Sequence, residues 1–293
     1  MTLPRKPRYM TGTTLILMIL AMVAFAGNSL IARAALIPDV DGISTLGPIT
    51  FTGLRLVAGA VVLCVCVRGK SVWSAFNPRQ TAGLFVYALM FSLAYVNLPA
   101  GTGALILFLS VQMTMLIGGY LAGDRLSHIQ KTGVFIALMG LIVLFGPTAS
   151  VPPIVPASLM VLSGVGWGVY SLLGRKAQNP TTQTASNFFF ASLAVLVFAV
   201  PLLTFMPETP PSSKGVILAV ISGAITSGLG YVIWYRVLPK IRSTMAAVSQ
   251  LCVPIITALG GIIWLSEPLT LSFSVASVCI LAGLFLTISR PKA

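Results

Sequence analysis

The residues able to do polar chemistry are few, and their spacing places them on faces of apolar helices. Phe25, Asn28 and Ala32 recur at three- and four-residue steps and so share one face. Asn28 is a polar amide in an apolar run; it either bonds a neighbouring helix or contacts a ligand. Ser163, Trp167 and Tyr170 share a face later in the chain. Tyr87, Phe91 and Tyr95 step by four, as do Ser227, Tyr231 and Tyr235, with Trp234 beside them. Aromatic stripes of this kind pack helices together or line a pocket for apolar and aromatic ligands. Gln112 and Gln250 each offer an amide to a ligand headgroup or to a neighbouring helix backbone.

Arg55 lies within an apolar run, about two turns from its end, where an unpaired charge is expensive. It either meets a ligand carboxylate or snorkels to the headgroups, and its shallow depth favours snorkelling. Pro254 lacks an amide, which frees a carbonyl of the preceding turn and makes it the hinge candidate. All of this suits reversible binding rather than bond-making.

Catalysis has little to draw on. One histidine and five acids supply no nucleophile–base pair or metal cluster, so the chain reads as a non-enzyme without cofactor or metal. No phosphate-binding loop is present, which argues against ATP-driven pumping by this chain. Cys64 and Cys66 point about 200° apart on one helix and cannot share a metal. With Cys252 and Cys279 they read as buried structural thiols. Asp124 and Glu267 stand at helix ends, where they pin turns and neighbouring helix N-termini. Without a membrane-embedded carboxylate to carry a proton, the sequence predicts a facilitator, or coupling without a carboxylate relay.

The elements that hold these residues are membrane helices. A mean hydropathy of +0.99, with 57% apolar and 8% charged residues, lies far from a soluble domain. The pattern predicts ten spans, at about 13–34, 46–67, 80–98, 103–122, 130–147, 155–175, 185–205, 214–237, 243–265 and 270–289. The ninth opens at Ser243-Thr244. The net charge of +13 comes from residues that punctuate apolar segments, which argues against nucleic acid and for lipid headgroups. With both termini cytoplasmic, fifteen Lys and Arg residues fall inside and two, Arg33 and Lys214, outside. Trp73 and Trp264 read as interfacial. The first apolar segment lacks a cleavage site and reads as the first span.

The chain also repeats itself. Thr102–Ser127 resembles Ser243–Thr270, with Asp124 standing 143 positions before Glu267. FAGNSLIAR at Phe25–Arg33 matches WGVYSLLGR at Trp167–Arg175, and YVNLP at Tyr95–Pro99 matches YRVLP at Tyr235–Pro239. The organisation predicted is a cytoplasmic segment 1–12, five-helix repeats at 13–147 and 155–289, and a cytoplasmic end at 290–293. Five helices is an odd number, so the second copy enters from the opposite side. Inverted repeats favour alternating access around a midplane site between the halves.

Two such halves, each opening on an aromatic-Gly segment and closing its fourth helix on an acid followed by Leu and Ser or Thr, resemble the EamA family of the drug/metabolite transporter superfamily. The resemblance covers nearly the whole chain and is nearest to the YddG-type aromatic amino-acid exporters. It implies an all-α membrane basket of ten helices around a central cavity, exporting amino acids and related metabolites across a bacterial-type inner membrane. Toxic cations and sugar phosphates are alternative cargoes within the superfamily; the latter would call for two or more cavity cations. The self-contained helix set makes a monomer adequate.

Overall fold

The computed structural model describes residues 11–37, 45–67, 72–123, 127–145, 151–174, 177–241 and 249–288. The first part of the chain forms α1 (Gly12–Leu36), α2 (Pro48–Val67), α3 (Pro78–Tyr95), α4 (Ala100–Leu121) and α5 (His128–Leu144). The second forms α6 (Ile154–Gly174), α7 (Pro180–Phe205), α8 (Ser213–Val237), α9 (Cys252–Leu265) and α10 (Leu271–Ile288). No strand occurs among the described residues. Six helices (α1, α2, α4, α6, α7 and α8) contain stretches long and apolar enough to cross a membrane, and α5, α9 and α10 are apolar but shorter. The predicted Ser243-Thr244 opening, Asp124, Arg175 and the 290–293 end lie outside the described residues, as does most of 1–12.

Local chemistry sets the helix starts. Asn77 accepts from the amide of Gln80 at 3.1 Å and begins α3 ahead of the predicted position. Ser127 and Gln130 close a capping box on α5. α7 begins at Pro180, five residues before the predicted boundary, because Asn179 caps the amide of Thr182 at 3.4 Å and Pro180 takes the first helical position. α3 ends at Tyr95 rather than 98, since Pro99 cannot continue the helix and instead precedes α4.

α5 packs on α10, α3 on α6, α2 on α7, and α4 on α6 and α9; α1 packs on α8 and α9. Two close contacts, α2–α8 and α5–α10, depend on missing side chains. A Cβ on Gly223 of α8 would stand 2.2 Å from the carbonyl oxygen of Arg55 in α2. In the α5–α10 contact, a Cβ on Gly133 would stand 2.5 Å from the carbonyl of Gly283, and one on Gly283 equally close to the carbonyl of Gly133. Backbones this close favour dispersion and weak polar contacts, the forces left to helix association in lipid.

Large apolar side chains also face outward, among them Val65, Phe135, Ile154, Val197, Leu271 and Val278. An apolar exterior of this extent is the surface of a protein solvated by lipid. Trp73 and Trp264 are both exposed. The thiols depart from expectation: all four are free, Cys66 and Cys252 are exposed, and Cys64 and Cys279 are half-buried. Their apolar helices turn those faces outward, and a small apolar thiol is as well suited to lipid as to a core.

A candidate substrate cavity between the two halves

Around Asn28 the helices leave a partly open, mainly apolar cavity, the setting usual for small-molecule sites. Phe25, Asn28 and Ser29 of α1, Tyr87 and Phe91 of α3, and Leu107, Phe108 and Val111 of α4 line one part. Trp167 of α6, Thr226, Ser227 and Tyr231 of α8, and Gln250 line the rest. The walls are mainly aromatic. The Trp167 ring centroid stands 4.9 Å from that of Tyr87 and 5.2 Å from that of Tyr231, and Phe25 stands 5.7 Å from Tyr231.

A polar network supports one side. The Ser222 hydroxyl, fully buried, donates to Asn28 Oδ1 at 2.8 Å. Asn28 Nδ2 in turn donates to Tyr87 Oη at 3.2 Å. The Thr226 hydroxyl donates to the Ser222 carbonyl at 2.8 Å. Arg55 donates from Nη2 to Tyr87 Oη at 2.8 Å and from Nε to Ser227 Oγ at 3.3 Å. Its guanidinium carbon lies 4.8 Å from the Phe91 ring centroid and 5.2 Å from that of Tyr87. Asn28, Arg55, Tyr87 and the α8 hydroxyls thus tie α1, α2, α3 and α8 together, each such bond in membrane proteins contributing about 0.6 kcal/mol on average.

The α8 residues occupy a π-helical segment, Ser222–Leu229, that a hydropathy pattern does not announce. An i→i+5 ladder widens the turn and rotates the side chains that follow it, a device common at functional sites. Glycines at 223, 228 and 230 flank and interrupt it, and they are the trace it leaves in the sequence.

The sequence-derived candidates divide in this geometry. Asn28, Tyr87, Trp167, Tyr231 and Gln250 line the cavity. Ser163 stands behind the wall, donating to the Tyr87 carbonyl at 2.9 Å. Tyr170 also stands behind it, its hydroxyl 3.3 Å from that of Thr184 and its ring 5.2 Å from Trp167. Trp234 is buried against Phe25, ring centroids 5.9 Å apart. Tyr95 turns away from the lining: its ring fills the space left by Gly103, and its hydroxyl donates to the Ala100 carbonyl at 3.3 Å. Gln112 is buried next to the lining residue Val111, but successive helix positions diverge by about 100°.

Arg55 corrects the snorkelling expectation. Its residue is 1% exposed and folds inward beneath Tyr87 and Phe91. Pro254 lies near the start of α9, and the helix breaks at Leu251. Pro254 has no amide to offer the carbonyl of Gln250, four residues earlier and one of the lining residues. Leu107, Phe108 and Val111 escaped sequence reasoning, because apolar residues in an apolar helix carry no signal that separates lining from packing.

At one end of the molecule the α3–α4 corner is clamped by charge. Arg33 donates from Nη1 to the carbonyls of Tyr95 at 2.9 Å and Val96 at 2.7 Å, at the carboxyl end of α3. Glu267 accepts from the amide of Ala100 at 2.8 Å, at the amino end of α4. Arg33 Nε and Glu267 Oε1 are 3.4 Å apart. Each charge complements the helix end it touches. Glu208 does the same for α2, accepting from the amides of Ile49 at 2.6 Å and Thr50 at 3.1 Å. The pinning role read for Glu267 is therefore present; Asp124 lies outside the described residues.

Comparison with known proteins adds the family. The model of the EamA-like transporter family matches twice, over residues 12–146 and 155–289. An uncharacterised protein of Pseudomonas aeruginosa is 44% identical over 280 residues, covering 94% of each chain. A protein of Salmonella typhimurium named as a probable amino-acid metabolite efflux pump is 23% identical, covering 84% of this chain and 87% of that one. The aromatic amino acid exporter YddG of Ancylobacter novellus is 26% identical over 61% of this chain and 62% of its own. With the family model matched over both halves and six helices able to span a bilayer, the chain is a multi-pass membrane protein and belongs to the EamA-like transporter family.

Proposed function

We propose that this chain is a carrier that exports neutral and aromatic amino acids and related small metabolites by alternating access, with the aromatic cavity as its translocation site. The observation that carries the reading is the origin of the lining. α1, α3 and α4 come from the first family match, and α6, α8 and Gln250 from the second. A site built from both copies changes its access whenever one half rocks against the other.

The packing supports a ten-helix inverted repeat. Exchanging each helix with its counterpart five places on turns the α3–α6 contact into α8–α1 and the α4–α6 contact into α9–α1, and all four occur. The α2–α7 and α5–α10 contacts map onto themselves, as pairs on a pseudo-two-fold axis would. In this reading Asn28, Tyr87, Trp167, Tyr231 and Gln250 touch the cargo, and the break before Pro254 is the hinge. The carrier performs no chemistry on its cargo, needs no cofactor, works as a monomer in a bacterial-type inner membrane, and keeps both termini in the cytoplasm. Sugar phosphates fit less well, because only Arg55 among the described cations stands against this cavity's wall.

The test is countertransport in proteoliposomes. Labelled phenylalanine, methionine or threonine uptake should saturate and should accelerate when unlabelled amino acid is preloaded. Trp167→Ala, which removes the ring shared by Tyr87, Tyr170 and Tyr231, should reduce that flux at least tenfold. Wild-type protein that is folded and inserted yet moves none of the three would overturn the proposal.

A further inference from the structure

We infer that the cavity selects its cargo by an anionic, hydrogen-bond-accepting group, a carboxylate, read by the Tyr87 hydroxyl under the charge of Arg55. The inference rests on the cavity being the binding site proposed above, and it names the chemistry that site recognises.

Proton accounting at Tyr87 comes first. Its phenol oxygen receives two hydrogen bonds, from Asn28 Nδ2 and from Arg55 Nη2. A guanidinium has no acceptor, and the Asn28 amide presents its nitrogen to Tyr87 and its oxygen to Ser222. In this arrangement the phenol's own proton is left for a third group, and Tyr87 Oη makes no hydrogen bond as donor among the described residues. Tyr87 lines the cavity. What remains is a hydroxyl proton at the cavity wall, polarised by a neighbouring cation and without a partner among the described residues.

Charge accounting agrees. Arg55 is 1% exposed, and its Nη1 has no hydrogen-bond partner. Glu208 and Glu267, the described acids, are engaged at the amino ends of α2 and α4. Arg55 thus carries an unneutralised positive charge just behind the cavity wall, softened by the faces of Phe91 and Tyr87. A buried charge of this kind is costly unless an anion answers it. A single carboxylate in the cavity does so. A cationic cargo without a carboxylate would raise the cost instead, which disfavours the toxic-cation alternative. For the ammonium of an amino acid the lining offers the rings of Trp167, Phe25 and Tyr231. It also includes the amide-bearing Gln250. Arg55 is a positioning residue here: it does not line the cavity and acts through Tyr87 and Ser227.

The experiment compares four ligands on the purified, detergent-solubilised full chain, by titration calorimetry. L-phenylalanine and 3-phenylpropionate carry the carboxylate, L-phenylalaninamide blocks it, and 2-phenylethylamine lacks it. The acids should bind at least tenfold tighter than the amide, with the amine weakest, as expected for one charge-assisted hydrogen bond. Tyr87→Phe keeps the ring and should shrink the acid-over-amide ratio to threefold or less. Arg55→Gln should do the same, and Arg55→Lys should restore part of the preference. Equal binding of acid and amide overturns the inference, and so does tighter binding of the amine or no binding of either acid. The wild-type comparison decides the matter even if a variant fails to fold. Acid-selective binding without countertransport would sink the carrier reading and leave this one standing. Countertransport of acid and amide alike would do the reverse.

Discussion

Replacing Glu267 and Arg33, singly and together, tests the charge clamp at the α3–α4 corner. Glu267 makes two contacts there: it accepts from the Ala100 amide at 2.8 Å, and it faces Arg33 Nε at 3.4 Å. Glu267→Gln keeps one oxygen for Ala100 but removes the charge. The loss then combines an ion pair with a charge at a helix amino end, the latter contributing about 0.3–1 kcal/mol when exposed and up to about 2 when partly buried. The side chains of Arg33 and Glu267 are 18% and 13% exposed, and Arg33 is already held in place by two carbonyls. Little further entropy is lost in making the pair. Its coupling should therefore exceed the usual exposed value of about 0.2–1 kcal/mol and fall at about 1–2 kcal/mol. The assay is reversible unfolding in mixed micelles for wild type, Glu267→Gln, Arg33→Met and the double variant. A coupling below about 0.3 kcal/mol would mean that Ala100 alone holds the carboxylate, and the clamp would be refuted. Because Glu267 is absent from the lining of the aromatic cavity, countertransport by folded Glu267→Gln protein should persist. A proton flux that matches substrate flux and vanishes in that variant would contradict this.

Gly223→Ala should destabilise the protein by about 1–3 kcal/mol in the same unfolding assay, the usual penalty for overpacking, because its Cβ would press on the Arg55 carbonyl. Gly174→Ala, where a Cβ meets nothing within 4 Å, is the control and should change stability by no more than about 0.5 kcal/mol. Pro254→Ala returns an amide to the Gln250 carbonyl and should heal the break at Leu251. We expect slower hydrogen exchange around residues 250–254 and slower countertransport; unchanged turnover would remove Pro254 as a hinge.

The helices were legible because lipid leaves the backbone no alternative to internal hydrogen bonding, so apolar length reads directly as span. The starts were less so: Asn179-Pro180 opens α7 with a cap and a proline that hydropathy passes over. Within the site, Asn28, Tyr87, Trp167, Tyr231 and Gln250 stood out as polar or aromatic residues at mid-span, and the cavity has all five in its wall. Tyr95 shares the helix face of Tyr87 but not its role, and the reason is Gly103 on another helix, a tertiary fact that no stripe encodes. Arg55 misled for a related cause. Its depth from the helix end suggested an escape to the headgroups, whereas Tyr87, Phe91 and Ser227, from two other helices, draw it inward. The π segment of α8 was invisible to a periodicity of 3.6, and only its glycines hint at it.

The placement of charge separates holding from binding. Glu208, Glu267 and Arg33 are all engaged at helix ends, where the backbone supplies opposite partial charge and no ligand is required. Arg55 stands in the middle of a helix, where the backbone offers no such partner, and among the described residues no carboxylate answers it. Its hydrogen bonds tie helices together, but they supply no negative charge, and on the proposed reading that charge comes from a cargo that arrives and leaves. The free proton of Tyr87 and the unpaired Nη1 of Arg55 are then two signs of the same incomplete shell, one facing the cavity and one behind it. A cargo that completes the shell makes the polar wall least costly when loaded, which ties occupancy of the site to the energy of the state that encloses it.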